Sequence, residues 1–198
     1  MSYISFTLAQ LIEKFDLSFQ ESAGIFGAVP DVEISDFLER ILSEDVALAV
    51  AIGTEKARSE LIITPILLEL RRLFAKKISL FSGVDFTVAP EQGLSGVCDY
   101  LISLSAEQLL VRSPVIMLVE AKNENLKGGP PQCIAEMIAA QQFNQREGNP
   151  VKAVYGTVTS GTVWRFLRLV ENTVEIDLDE YYTRNAGQIL GILSTALA

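Results

Sequence analysis

Between Thr7 and about Ala49 the apolar positions fall at helical spacing. Leu8, Leu11, Ile12 and Phe15 form one face, and GAVPDVEIS breaks the pattern ahead of DFLERIL. Residues 1–50 are therefore predicted to form a small N-terminal helical appendage to a domain spanning 51–198. A second helical pattern opens at Thr54, whose hydroxyl can accept from a first-turn N–H, and continues through EKARSELIITPILLELRRLFAKK. Pro65 contributes no N–H, so a kink or a new segment is expected there.

From Ile78 the period changes. ISLFSGVDFTVAP, GVCDYLISLS and PVIMLVEA are short β-rich runs bounded by Gly, Pro and Ser, the pattern of successive strands. The loop NENLKGGPP leads into an alanine-rich helix, QCIAEMIAAQQFNQ. Beyond Pro150, VKAVYGTVTSGTVWRFLRLV and VEIDLDEYY read as strands joined by Gly and Asn turns, and a helix from about Ala186 to Leu197 follows. The order is helix, three strands, helix, two or three strands, helix: an α/β protein.

Composition narrows the chemistry. The 198 residues include no histidine, which excludes Ser-His-Asp and Cys-His nucleophile pairs and histidine-containing zinc sites. The net charge of −9 argues against a protein that coats nucleic acid with its whole surface, because that affinity comes from Lys and Arg, but it leaves room for a local basic cleft. Cys98 and Cys133 form no CxxC pair, so both are read as reduced thiols. No segment approaches the roughly 20 apolar residues of a membrane span, and the opening residues lack the basic start and apolar core of a signal peptide. A cytoplasmic location with no membrane contact is expected. The positive mean hydropathy of +0.30 then predicts a large core or a buried subunit contact, and a homodimer is the expected assembly.

Within the strand region Asp99 lies in GVCDYLIS, and Glu120 and Lys122 lie in IMLVEAK. Side chains two apart on a strand share a face, so Glu120 and Lys122 point the same way. An antiparallel hairpin of these two strands places Asp99 opposite Glu120 and Val97 opposite Lys122. Cβ atoms of opposed residues are about 5 Å apart, close enough for two carboxylates to share a divalent cation. Mg²⁺ is commonly held by one or two carboxylates and keeps several waters, and a neighbouring lysine can position a water or neutralise charge developing on a phosphate. Such a set can hydrolyse phosphodiesters without histidine. On the Thr54 helix, Glu60 falls in register with Ile63, Leu67, Leu70 and Phe74, and on the later helix Gln141 shares a stripe with Ile134, Met137 and Ile138. Both are expected to point toward the sheet.

These residues, in this helix and strand order, resemble the PD-(D/E)XK nuclease-like superfamily. The closest likeness is to its largely cyanobacterial members, through TEKARSELIITPIL, ISLFSGVDFTV, GLSGVCDYLIS, VEAKNENL, QCIAEMIAAQQFNQ and VYGTVTSGTVWRFL, over roughly residues 54–182. The resemblance implies a restriction-endonuclease-like mixed core sheet of four or more strands flanked by helices. It also implies a Mg²⁺ or Mn²⁺ site at Asp99 and Glu120, aided by the Ala121 backbone carbonyl. Lys122 would assist the water, and Glu60 would orient it or bind a second metal. The helix glutamine of the pattern is Gln141 or Gln132. Cys98 stands where the superfamily's name has proline. Nucleic acid, reached through a local cleft, and a protein partner are the implied partners.

Two other motifs carry nothing. GLSGV has Val97 where a nucleophile elbow needs glycine, and YGTVTSGT lacks the lysine of a phosphate loop and is expected to be a hairpin turn between Tyr155 and Trp164. Lys127, Arg146, Lys152, Arg165 and Arg168 are the cations from which a phosphate-contacting surface would be drawn.

Overall fold

The computed structural model describes residues 2–197. Helices α1 (Leu8–Phe15) and α2 (Asp36–Ile52) flank strand β1 (Ser18–Ser22). A continuous helical rod follows, made of α3 (Glu55–Arg58), a π turn (Ser59–Ile63) and α4 (Thr64–Leu73). Strands β2 (Ser79–Asp85), β3 (Val97–Ser103) and β4 (Val115–Ala121) lead to α5 (Gly129–Arg146). Strands β5 (Val154–Thr159), β6 (Val163–Val170), β7 (Thr173–Asp177) and β8 (Tyr181–Tyr182) precede α6 (Ala186–Thr195).

All the strands belong to one mixed sheet of order β1-β7-β6-β5-β4-β3-β2, with β8 also paired to β6. The β4–β5 and β1–β7 pairs are parallel, and the remaining pairs are antiparallel. Each face of the sheet carries its own core. On one face, α1 and α5 pack over Leu101, Leu118, Val158 and Leu167. On the other, α2, α4 and α6 pack over Tyr100, Ile102, Met117, Val119 and Trp164. This is the expected α/β class, with β4 buried along its whole length, as suits the uninterrupted apolar run 115–119 of a strand covered on both faces. No helix among the described residues is long and apolar enough to cross a membrane.

The first fifty residues contribute a strand as well as helices and are woven into this unit. β1 extends the sheet along β7 in a register running from Ser18–Thr173 to Ser22–Asp177. Tyr3, Phe6, Leu11 and Leu17 are part of the α5-side core, and Phe26 packs in the opposite core against Phe166. Asp177 fastens the following turn by accepting from the Gly24 and Phe26 N–H groups and the Tyr181 hydroxyl. Five polar or aromatic residues, SFQES, make β1 unreadable as a buried strand. It sits at the sheet edge, where most of its side chains remain exposed.

α5 lies directly on β5. A Cβ on Gly156 would collide with Met137 Sδ, and one on Gly129 would collide with Val158. Absence of both side chains lets the helix approach the sheet closely and sets its N-terminal turn beside the carboxyl ends of the parallel pair β4 and β5.

The π turn answers the expectation of a break at Pro65. Thr64 N–H reaches back to the Ser59 carbonyl, and Pro65 begins the next helical segment without a donor. The Tyr100 hydroxyl donates to that same carbonyl at 3.1 Å and shares a 2.9 Å hydrogen bond with the Thr64 hydroxyl. Tyr100→Phe removes both bonds at a buried position and is expected to destabilise the protein by about 1–2 kcal/mol. Urea unfolding midpoints measure it.

Candidate metal and hydrolysis site

The β3–β4 ladder pairs Ile102 with Met117, Leu101 with Leu118 and Tyr100 with Val119. One step further along the same register stand Asp99 and Glu120, as expected from the hairpin. There the ladder gives way to a side chain, because Asp99 Oδ2 accepts from the Ala121 N–H at 2.8 Å. The N–H and C=O of one strand residue point to the same strand edge, so the Ala121 carbonyl also faces the β3 side.

Glu120 is only 1% exposed and projects to the α5 face. Its Oε1 accepts from Lys122 Nζ and its Oε2 from Gln132 Nε2 at 2.8 Å. Gln132 Oε1 faces Lys122 Nζ at 3.4 Å. The glutamine at the site is therefore Gln132, in the first turn of α5 beside Glu120. Gln141 lies more than two turns further along and donates to the Glu171 carbonyl instead.

Glu60 is placed elsewhere. Its side chain is 63% exposed and pairs with Lys56 at 3.4 Å. The expected stripe assumed an unbroken 3.6-residue repeat, and the π turn at Ser59–Ile63 inserts an extra residue that rotates Glu60 out of line with Leu67 and Leu70. On the same rod, the charge of Glu55 raises Glu120 and Lys122, a smaller influence than that of their nearer neighbours.

Two further buried groups escaped the sequence reading. Glu136, one turn beyond Gln132 on α5, is fully buried, and its Oε1 accepts from Gln132 Nε2 at 3.1 Å. Arg58 is buried on the rod, donating to the Ser160 carbonyl at 3.1 Å and facing Glu124 at 3.6 Å. An i, i+4 Gln-Glu pair on the helix after ExK is the only sequence signal of the first. Arg58 is concealed by its polar neighbours Lys56, Ser59 and Glu60, among which it reads as one more solvated charge.

Electrostatically the site wants positive charge. Burial, reinforced by the Asp99 carboxylate, raises Glu120 from an ordinary 4.5 to about 8 against the opposing pull of Lys122. For Lys122 burial acts downward, yet the bond to Glu120 and the charges of Glu120, Glu55 and Asp99 prevail and raise it, so the lysine is an ammonium at neutral pH. Glu136 is pushed well up, by burial first and by Glu120 second. Because the folded pKa of Glu120 exceeds the unfolded one, its contribution favours folding below about pH 4.5 and is lost as pH rises through about 8. Glu136 adds a contribution of the same sign. In metal-free buffer the protein is thus expected to lose stability from pH 5 to 8. Glu120→Gln should flatten part of that slope, as urea midpoints in EDTA would show.

The donor set fits a hard divalent cation. Two carboxylates and a carbonyl oxygen converge on the end of β4, and a carboxylate with two accepted hydrogen bonds still has lone pairs to offer. Among the described residues no group of three or more His, Cys, Asp or Glu side chains is arranged to hold a metal, so water and substrate oxygens would complete the coordination. Beside the site, Glu124, Lys127, Ser160, Arg165 and Glu180 help line a hollow of about 230 Å³. Of the cations expected to meet phosphate, Arg165 is paired with Glu180 at 2.6 Å, Arg168 with Glu175, and Arg146 donates to the Val88 carbonyl, whereas Lys127 is exposed on the loop leaving β4. A larger groove of about 490 Å³, lined in part by Leu42, Val46, Tyr182 and Arg184, contains none of the candidate site residues. No family model matches the chain, and no curated protein matches it.

Proposed function

We propose that the protein is a metal-dependent phosphodiester hydrolase acting on DNA or RNA, with a restriction-endonuclease-like arrangement of the PD-(D/E)XK type. One observation carries this reading: Asp99, Glu120 and Lys122 meet where β3 and β4 part, with Glu120 buried and Lys122 charged beside it. Asp99, Glu120 and the Ala121 carbonyl would hold Mg²⁺ or Mn²⁺. When bound, the ion supplies a water of lowered pKa and a counter-charge for a phosphoryl oxygen.

The chain's own residues do the rest. Gln132 and Lys122 fix the two oxygens of Glu120. The Lys122 ammonium orients a water and offsets charge developing on phosphate, a role that suits its protonated state better than that of a base. Exposed Lys127 is placed to contact the backbone of a bound strand through the adjacent hollow. Because the chain carries a charge of −9, binding is confined to this cleft, and with few free cations lining it the affinity falls only modestly with salt.

Incubation with single- and double-stranded DNA and RNA in Mg²⁺, Mn²⁺ or EDTA tests the reading. Cleavage that depends on the metal is expected, and the absence of cleavage of every polymer in either ion would contradict it. A second reading, a nuclease fold serving as a dimeric assembly module, draws on Phe37, Leu48, Val50 and Ile52, which α2 leaves exposed. Sedimentation of wild type against Leu48→Glu tests that reading, with a shift from dimer to monomer expected.

A further inference from the structure

The core holds carboxyl groups that are fully employed and one that is not. Glu69 accepts from the Ser35 N–H and from Arg72, and Asp177 accepts from the Gly24, Phe26 and Asp179 N–H groups and the Tyr181 hydroxyl. Glu136 is as buried as either, yet its Oε2 has no hydrogen-bond partner and its Oε1 has only the Gln132 amide. A buried polar group so poorly satisfied costs stability, and an apolar residue of similar length would fill its place at no loss.

What Glu136 does accomplish is geometric. Gln132 Nε2 has two hydrogens, one directed to Glu136 Oε1 at 3.1 Å and one to Glu120 Oε2 at 2.8 Å. The amide oxygen on the other side faces Lys122 Nζ at 3.4 Å. Two acceptors on the NH₂ side and an ammonium on the carbonyl side leave the amide a single favourable direction. With Glu136 absent, one of the two anchors of the NH₂ group is gone and the side chain is free to swing from Glu120.

Resting on the hydrolase reading above, we infer that Glu136 is a positioning residue that locks the Gln132 amide and, through it, holds the Glu120 carboxylate in its working orientation. It touches neither substrate nor metal and acts through Gln132 alone.

The test compares Glu136→Met, which removes the acceptor and fills the space, with Glu136→Gln, whose side-chain carbonyl can still accept from Gln132. Glu136→Met is expected to lower kcat about tenfold with KM little changed, while its thermal midpoint stays equal to or above that of wild type. Glu136→Gln is expected to stay within about twofold of wild-type kcat, the margin for an acceptor kept in place. Wild-type kcat in Glu136→Met, equal impairment of both variants, or failure of Glu136→Met to fold would each overturn the inference, the last because the carboxyl would then be structural.

If the wild type cleaves nothing, the hydrolase reading fails while the positioning claim stays measurable. The Gln132 side-chain amide signals, assigned in ¹⁵N spectra by their loss in Gln132→Ala, are expected to shift in Glu136→Met and to stay near their wild-type positions in Glu136→Gln. Unmoved signals in Glu136→Met would refute it.

Discussion

Glu120→Gln is expected to reduce metal-supported hydrolysis by about 10³-fold or more while leaving the protein folded and no less stable. The activity loss has two sources. The amide removes the negative charge that a divalent cation needs, and it turns one end of the group into a donor facing donors, since Lys122 Nζ and Gln132 Nε2 occupy the two sides of this carboxylate. Loss of a positioned charged group costs on the order of 10²–10⁴ in rate, and here the charge of the ligand and its paired acceptor contacts to Lys122 and Gln132 are lost together. The stability expectation has the opposite sign for a reason visible in the structure: at 1% exposure the charged form of Glu120 is disfavoured by burial and by Asp99. Single-turnover cleavage and thermal midpoints of the two proteins, measured side by side, give both numbers. A variant that unfolds, or one that cleaves like wild type, would show that Glu120 has been assigned the wrong task.

Deleting residues 1–22 is expected to abolish cooperative folding. The deletion strips Tyr3, Phe6, Leu11 and Leu17 from the core over α5 and removes β1 from β7. Four buried side chains of this kind account for roughly 6–12 kcal/mol of transfer free energy at about 1.5–3 kcal/mol each. That is comparable with the whole stability of a typical domain, about 5–15 kcal/mol. Circular dichroism melting and size-exclusion chromatography would register a broad or absent transition and aggregation. An appendage that merely leaned on the domain would leave the melting temperature within a few degrees, so the two descriptions of the N-terminal segment are easily told apart.

How far the sequence could be read depended on how regular the backbone was. The strand β4 was legible because seven consecutive buried residues leave few alternatives, and the hairpin register followed from treating β3 and β4 as ideal ladders. Alternation along one strand then placed Glu120 beside Lys122. Glu60 went astray because one π turn breaks the periodicity on which the helical stripe rests, and a π turn leaves no mark in composition beyond the Pro65 that follows it. Gln132 and Gln141 could not be separated by pattern, because α5 is buried on nearly every side and so has no polar face to orient it. Their difference is set by which turn of the helix reaches the ends of β4 and β5, a matter of tertiary packing at Gly129 and Gly156. Glu136 was hidden for a related reason, as a lone carboxylate in an alanine-rich helix reads as solvated. β1 was missed since its partner β7 lies some 150 positions away in the chain and its own side chains are mostly polar and exposed.

The zero-histidine composition agrees with the site that emerged. On the proposed reading its parts are two carboxylates, a carbonyl oxygen, an ammonium and an amide, supplied by β3, by β4 and the residue that follows it, and by the first turn of α5. The unfavourable features of that cluster, a buried acid raised by its neighbours and a second acid with an unused oxygen, are those a bound cation and a fixed amide would put to use.

The most direct measurement is a crystal grown with Mn²⁺ and recorded near the manganese absorption edge. An anomalous difference peak bounded by Asp99, Glu120 and the Ala121 carbonyl, absent from Glu120→Gln crystals prepared in the same way, is the predicted result. A map with no peak at the end of β4, or with the ion held elsewhere, would contradict the assignment of a metal site to these residues.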